Sequence, residues 1–253
     1  MPVKIDIIIL SYAKTDELKQ ITLQGIESLF LSEDRDYIQF ETLVIESNKD
    51  LYPYQYPNTK TIYPEEKFGF NRYLNIGITQ TSNDYACLCN NDLIYHQNWA
   101  SEILKAMAEN PNIKSANPYC NSFDYHQDIR KGPEIIFRHQ NLKVNGILTG
   151  WCLFVKREIF NKIGLLDEQF EFWYADNDYD FTLRRHKLVH ALIKRSRVTH
   201  LVSQSHHTLM DKKDRMTIGQ REKFEKKWIK TSPIKKLIAL FNNRLMSCKL
   251  YRY

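Results

Sequence analysis

The chain has 253 residues, enough for one large domain with a full core plus an appendage. Its hydrophobic share of 43% and charged share of 26% are those of a soluble globular protein, which excludes large-scale disorder, and no apolar run is long enough to span a bilayer. The net charge of +6 is unevenly spread: from Asp211 onward 13 Lys and Arg face four acidic residues, yet no zinc finger or RNP sequence accompanies them, so nucleic acid is not the expected partner.

The opening MPVKIDIIIL lacks the apolar length and the small-residue cleavage site of a signal peptide, which predicts a cytoplasmic protein. Five cysteines without a CxxC pair fit a reducing compartment. Cys87 and Cys89 alternate along a strand and are expected to pack in the core rather than to bind zinc. In chain order, residues 5–10 (IDIIIL) form a short β-branched run that reads as a buried first strand, giving way to polar Ser11 to Asp16. Thr15 or Asp16 can cap a following helix whose positions Leu18, Ile21, Ile26 and Leu29 fall mostly on one face. A second strand over residues 40–45 ends on Glu46-Ser47-Asn48. Residues 52–63, rich in Tyr, Pro and Asn, predict a loop with a brief strand at 61–63. A helix follows Phe68-Gly69-Phe70-Asn71-Arg72, and then comes a third long strand, YACLCN, running into Asn90-Asn91-Asp92.

Strand, helix, strand, helix, strand is the alternation of a parallel sheet covered by helices. A further helix follows Asn98. Residues 116–145 look irregular, 147–156 (ILTGWCLFVK) look like a strand, and a helix is expected around 157–163. No internal repeat or low-complexity tract occurs. The expected organisation is one domain over 1–210, in two halves (1–95 and 96–210), with a basic helical extension over 211–253.

Two acidic clusters carry the chemistry. Asn90-Asn91-Asp92 lies where a buried strand opens into a loop, the place where open α/β sheets bind ligands, and a hard divalent ion would need few protein groups beside substrate phosphates. The same triplet is also an ordinary turn. Asp176, Asp178 and Asp180 alternate in an aromatic-rich stretch, and the last two also suit a helix N-terminus. Asp176 follows Trp173-Tyr174-Ala175, where apolar surroundings would raise a carboxylate's pKa toward that of a useful base. One carboxylate for a metal-bound diphosphate and another to deprotonate a hydroxyl make a transferase site.

The order of these motifs resembles the family 2 glycosyltransferases of the GT-A fold, over about residues 4–207. IDIIILSYAK is similar to the family's opening strand and nucleotide-contacting turn, ETLVIESN to its second strand, and GFNRYLNIGI to its GFxxxxNxGI segment. Asn90-Asn91-Asp92 occupies the place of the DxD motif, in the NxD form common among rhamnosyltransferase-like members. LTGWCLFVKREIFNKIGLLDEQF resembles the TGxxxLxRRExFxxIGxFDExF pattern, and YADNDYDFTLRR the catalytic segment. The resemblance implies an α/β fold with a mostly parallel central sheet flanked by helices, a nucleotide-sugar donor and a divalent ion, Mn²⁺ or Mg²⁺. It implies donor contacts from Ser11, Tyr12, Glu46, Asn71, Arg72, Asn75, Asn90 and Asn91, metal binding by Asp92 and His200, with His206 and His207 as nearby substitutes, and Asp176 as the base of an inverting transfer. Three positions depart from the pattern. Asn90 replaces the first acid of DxD, Ala13 stands where Asn is common, and Ala175 replaces the Glu that usually precedes the base, which leaves Asp178 as the fallback.

Acceptor contacts are expected from Trp151, Trp173, Tyr174 and Asp178, for a glycan or lipid-linked glycan acceptor, although Trp151 also reads as a core residue. After Ser232 and Pro233, an apolar stripe (Ile234, Leu237, Ile238, Phe241, Leu245) beside Lys235, Lys236, Arg244 and Lys249 predicts a basic amphipathic helix. Such a helix packs on the catalytic domain or on another subunit, or lies peripherally on the inner face of a membrane. The rival readings are a nucleotidyltransferase acting on sugar phosphates, which would normally show a glycine-rich phosphate loop where Ser11 to Asp16 has no glycine, and a non-catalytic carbohydrate-binding protein, which would need no pair of separated carboxylates.

Overall fold

A single nine-stranded sheet organises the chain, with helices on both faces. The computed structural model describes residues 1–123, 125, 127–138, 147–201 and 213–229, with side chains of the last segment from 219 onward. His206, His207, the stretch 202–212 and the expected amphipathic helix after Ser232 lie outside the described residues.

The first half builds in chain order. Strand β1 (Val3–Ser11) is followed by helix α1 (Asp16–Leu31), β2 (Ile38–Glu46), β3 (Lys60–Ile62), α2 (Phe70–Gln80) and β4 (Tyr85–Asn90). Strands β3, β2, β1 and β4 lie side by side and all run parallel. Thr15 caps α1, its Oγ1 accepting from the backbone N–H of Leu18 at 3.3 Å. Alternation along β1 sends Ile5, Ile7 and Ile9 to the face covered by α1, and Ile8 and Leu10 to the face covered by α2. Helix α2 is pressed so closely onto β1 that a Cβ added at Gly77 would stand 2.3 Å from Ile8 Cγ2.

The second half comprises β5 (Leu93–Tyr95), α3 (Trp99–Glu109), β6 (Ile113–Tyr119), α4 (Gln127–Lys131), β7 (Ile135–Phe137), β8 (Cys152–Lys156), α5 (Ile159–Ile163), α6 (Ala175–Arg185), β9 (Val189–His200) and α7 (Lys213–Trp228). The expected parallel arrangement holds through β4 and then changes: β8 pairs antiparallel with both β4 and β6, β9 runs parallel to β6, and β5 and β7 pair antiparallel with β9. The α/β class stands, with a parallel first half and a mixed second half. The 95/96 division cuts across this sheet, because β5 sits at its far edge, beside β9. The region expected to be irregular contains β6, α4 and β7, and the strand expected over 147–156 is confined to β8.

The halves are riveted at the end of the sheet remote from the polar loops. Asp6, 1% exposed, accepts from Arg157 Nη2 at 2.6 Å and from the backbone and side-chain nitrogens of Asn83 at 2.8 and 2.7 Å. A buried carboxylate requires such a counter-charge, since desolvation costs several kcal/mol without one. Cys87, Cys89 and Cys152 meet in the core, their sulfurs all within 4.8 Å of one another. Among the described residues no helix is long and apolar enough to cross a membrane.

Candidate active site

Strands β1, β2 and β4 end together, so their last residues line one edge of the sheet, the position where a parallel sheet offers a crevice. At the end of β1, buried Ser11 places its Oγ 3.3 Å from both Thr22 Oγ1 and Tyr56 Oη. Tyr12 follows, 40% exposed. At the end of β2 the fully buried Glu46 accepts from the N–H groups of Ala13 (3.1 Å) and Asn48 (2.7 Å) through Oε1, and from the Tyr56 hydroxyl (3.2 Å) through Oε2. Asn48 returns a bond to the Ala13 carbonyl at 2.7 Å. Glu46 therefore fixes both loops at this end of the sheet with one carboxylate. Tyr56 and Thr22 escaped the sequence reading, since a buried tyrosine inside a Tyr/Pro-rich loop carries no periodicity.

The Asn90-Asn91-Asp92 turn is held on three sides. Asn90 donates its backbone N–H to the Trp151 carbonyl at 2.9 Å, Asn91 Nδ2 donates to Thr22 Oγ1 at 2.8 Å, and the Asp92 carbonyl accepts from Leu201 N at 2.9 Å. The Asp92 carboxylate, on a residue 7% exposed, lies 3.1 Å from His200 Nε2, which brings together residues 108 positions apart. The His200 ring stacks on Trp151, with centroids 5.5 Å apart and planes at 14°.

Segment 149–151 is the pivot of the site. Asn117 clamps it, donating to the Thr149 carbonyl at 2.9 Å and accepting from Thr149 N at 3.0 Å. On its other side stands Asp176, in the first turn of α6. A Cβ at Gly150 would stand 3.4 Å from Asp176 Cβ, in van der Waals contact, so segment and helix lie close together. Asp176 accepts from Asn177 N at 2.8 Å and from the Gly150 N–H. Desolvation pushes its carboxyl above the usual carboxylate range, and the Asp180 charge adds to this, against the backbone donors that favour ionisation. Asp176 thus meets residue 150, and His200, the partner of Asp92, meets residue 151. The Trp151 indole N–H and the Thr149 hydroxyl are buried there without a hydrogen-bond partner among the described residues.

Other expected contributors point elsewhere. Asn71 donates to the Asp167 carbonyl at 2.8 Å, and the Asn75 amide exchanges bonds with the backbone of Leu166 (2.8 and 2.9 Å) and reaches Glu168. Arg72 pairs with Glu168 at 3.0 Å. All three are bonded to the loop before α6. Asp178 is turned toward α7: its Oδ1 accepts from Trp228 Nε1 at 2.6 Å and pairs with Lys227 Nζ at 2.8 Å. Asp180 pairs with Arg138 through both oxygens, at 3.2 and 3.0 Å. Trp173 is half-buried and edge-on to Phe172, and Tyr174 packs on Phe224. Trp151, with 6% exposure, is largely core.

The donor set at Asp92 and His200 is an oxygen and a nitrogen, which suits a divalent ion shared with phosphate oxygens. The three buried thiols lie in the core, Cys87 Sγ standing 3.3 Å from Cys89 Sγ and 3.6 Å from Cys152 Sγ.

The fold is shared with structures of sugar-transferring enzymes. GalNAc-T7 with UDP, GalNAc and Mn²⁺ superposes with a TM-score of 0.61 at 13% identity, covering 79% of this chain and 43% of that one. The mannosyltransferase PcManGT from Pyrobaculum calidifontis, in complex with GDP-Man and Mn²⁺, gives 0.58 at 12% identity, covering 81% and 59%. TarS 1–349 from S. aureus gives 0.55 at 13% identity, covering 76% and 58%. The chain thus spans about half the length of these structures. No curated protein matches its sequence. The profile described as glycosyl transferase family 2 matches residues 6–164, more than half of the chain, and with its GT-A architecture the chain belongs to that family of glycosyltransferases.

Proposed function

We propose that the protein transfers a sugar from a nucleoside-diphosphate donor to a hydroxyl of a glycan or glycoconjugate, with inversion at the anomeric carbon and Asp176 as the base. The observation that supports this reading is that Asp176, its carboxyl raised in pKa by desolvation, stands against Gly150, while the His200 that pairs with Asp92 stacks on the neighbouring Trp151. Ser11, Tyr12, Glu46, Asn90 and Asn91 line the donor side, where Glu46 preorganises the loops that would receive base and ribose. Asp92 and His200 would hold a divalent ion, Mn²⁺ or Mg²⁺, whose chemistry is to neutralise charge on the departing diphosphate.

Asp176 accepts the acceptor hydroxyl proton as that oxygen forms its bond to the anomeric carbon. The bond to the diphosphate breaks in the same step, and its electron pair leaves with the nucleoside diphosphate. A carboxyl with a raised pKa suits this task near neutral pH. Trp173 and Tyr174, half-buried just before α6, would border the acceptor, with Trp151 stacked on His200; the Trp151 N–H and Thr149 hydroxyl, without a partner among the described residues, would donate to an oxygen. Incubation with Mn²⁺ and a panel of UDP-, GDP- and dTDP-sugars tests the reading. Release of a nucleoside diphosphate from one donor, suppressed by a chelator, is expected; an unchanged panel would refute transfer from these donors. Two of the similar structures are complexes with UDP and with GDP-Man, so the panel spans both bases.

A further inference from the structure

Helix α7 follows the family-matched segment and has no part in the site described above, yet it is bonded to the helix that bears Asp176. Gln220, Phe224, Lys227 and Trp228, spaced at helical repeats, make one face of α7. Every polar group on that face reaches the 167–178 region. Gln220 accepts from Glu171 N at 3.2 Å, and Lys223 donates to the Gln169 carbonyl at 2.9 Å. Lys227 Nζ bridges Asp167 at 2.7 Å and Asp178 at 2.8 Å, and Trp228 Nε1 donates to Asp178 at 2.6 Å. Phe224, 7% exposed, packs among Phe170, Tyr174 and Phe181.

The first turn of α6 needs such support. Its N-cap residue, Tyr174, makes no side-chain cap bond and sits at φ 65°, a left-handed conformation costly for a residue with a Cβ. A helix start lacking a cap and strained by a non-glycine residue persists only if its surroundings impose it. Here the Tyr174 ring rests 5.3 Å from Phe224, and Asp178, one turn on, is tied to Lys227 and Trp228. Asp176 lies between these two anchors.

We propose that α7 is a positioning strap: Lys227 and Trp228, acting through Asp178, hold the first turn of α6 so that Asp176 meets Gly150 and the acceptor in working geometry. They are positioning residues and do not touch the reacting atoms. The inference rests on Asp176 being the base. Charge explains the choice of partners: Asp178 is buried, and among the described residues the Lys227 ammonium and the Trp228 indole N–H compensate its carboxylate, so removal of Lys227 takes away the counter-charge at the turn that carries the base.

The test compares Lys227→Met, Lys227→Arg and Trp228→Phe, with exposed Lys226→Met as control and Asp176→Asn alongside, all in the full chain. Amide hydrogen exchange needs no substrate and is read first. Residues 174–179 should exchange at least 10-fold faster in Lys227→Met and Trp228→Phe, while β1 and β4 stay protected as in the parent. With the donor found in the panel, kcat should fall 10-fold or more at nearly constant donor KM, its acid limb should shift, and Lys227→Arg should recover much of the loss. Unchanged exchange at 174–179, or a loss of protection spread evenly over the sheet, overturns the proposal, as does parental kcat and pH profile in both α7 variants. If Asp176→Asn still transfers sugar, the base assignment itself fails. An inactive Asp176→Asn beside fully active α7 variants removes the strap alone. Trp228→Phe keeps the ring and its packing, so it remains informative should Lys227→Met fail to fold.

Discussion

The two halves of the sheet hold their polar ends by different means. In the parallel half, Ser11, Glu46 and Asn90 are the last residues of their strands, and hydrogen bonds tie the loops that follow to one another: Glu46 alone holds Ala13, Asn48 and Tyr56. In the mixed half, Asp176 starts a helix whose first turn is strained at Tyr174 and is held by α7, some fifty residues later in the chain. The strand ends are thus braced by their own sheet and loops, while the Asp176 turn leans on a helix outside the sheet.

The largest expected effect separates the halves by function. Asp176→Asn should lower the transfer rate by about 10²- to 10⁴-fold, the range for loss of a general base, with donor binding within twofold in a calorimetric titration. Equal loss of donor affinity would show that Asp176 serves the nucleotide side. Next in size is the rivet between halves. Arg157→Met strands the Asp6 carboxylate and should cost roughly 3–5 kcal/mol in denaturant unfolding. A cost below about 1 kcal/mol would mean that Asn83 alone satisfies Asp6. Glu46→Gln probes the local scheme: an amide in place of a triple acceptor should destabilise by about 1–3 kcal/mol and weaken Mn²⁺–UDP binding, with the Asp176-dependent pH limb untouched.

The smallest effect concerns stability against pH. The Asp176 carboxyl is raised in the folded protein, so its contribution to stability is full below the unfolded pKa of about 3.9 and is lost as pH rises through the folded value. At neutral pH its ionised form is a cost that Asn does not carry. Asp176→Asn should therefore melt slightly higher than the parent at pH 7, with the gap closing in acid. The transfer rate should rise with pH through the same raised pKa. A variant that melts lower at pH 7 would argue that the Gly150 and Asn177 bonds outweigh desolvation.

Much of the parallel half was legible because each strand there is a continuous apolar run ended by a polar cluster: 5–10, 40–45 and 85–90 announce β1, β2 and β4, and their ends announce the crevice. The Asp92–His200 pairing came from the resemblance rather than from spacing. Strand β9 escaped altogether, because Lys194, Arg195 and Arg197 interrupt its pattern; Lys194 is buried nevertheless, its ammonium satisfied by the carbonyls of Arg130 and Gly132. The docking face of α7 was hidden for a related reason. It binds through two ammoniums, an indole, one side-chain amide and a single buried phenylalanine, so it leaves no apolar stripe to find. The bonds of Asn71 and Asn75 to backbone ninety-odd residues away were equally invisible, since nothing local marks an amide's distant partner.

Those two amides restrict how the enzyme can be taken apart. A fragment ending at residue 95 would bare the buried Asn71 and Asn75 side chains, which find their partners at Leu166–Asp167, and would also strand Gly77's tightly pressed helix beside an unfinished sheet edge at β4. Neither piece is a self-sufficient module, so swapping acceptor halves between relatives at that point would join mismatched surfaces. A graft that respects the chain's own seams carries α2 and the 164–174 loop together.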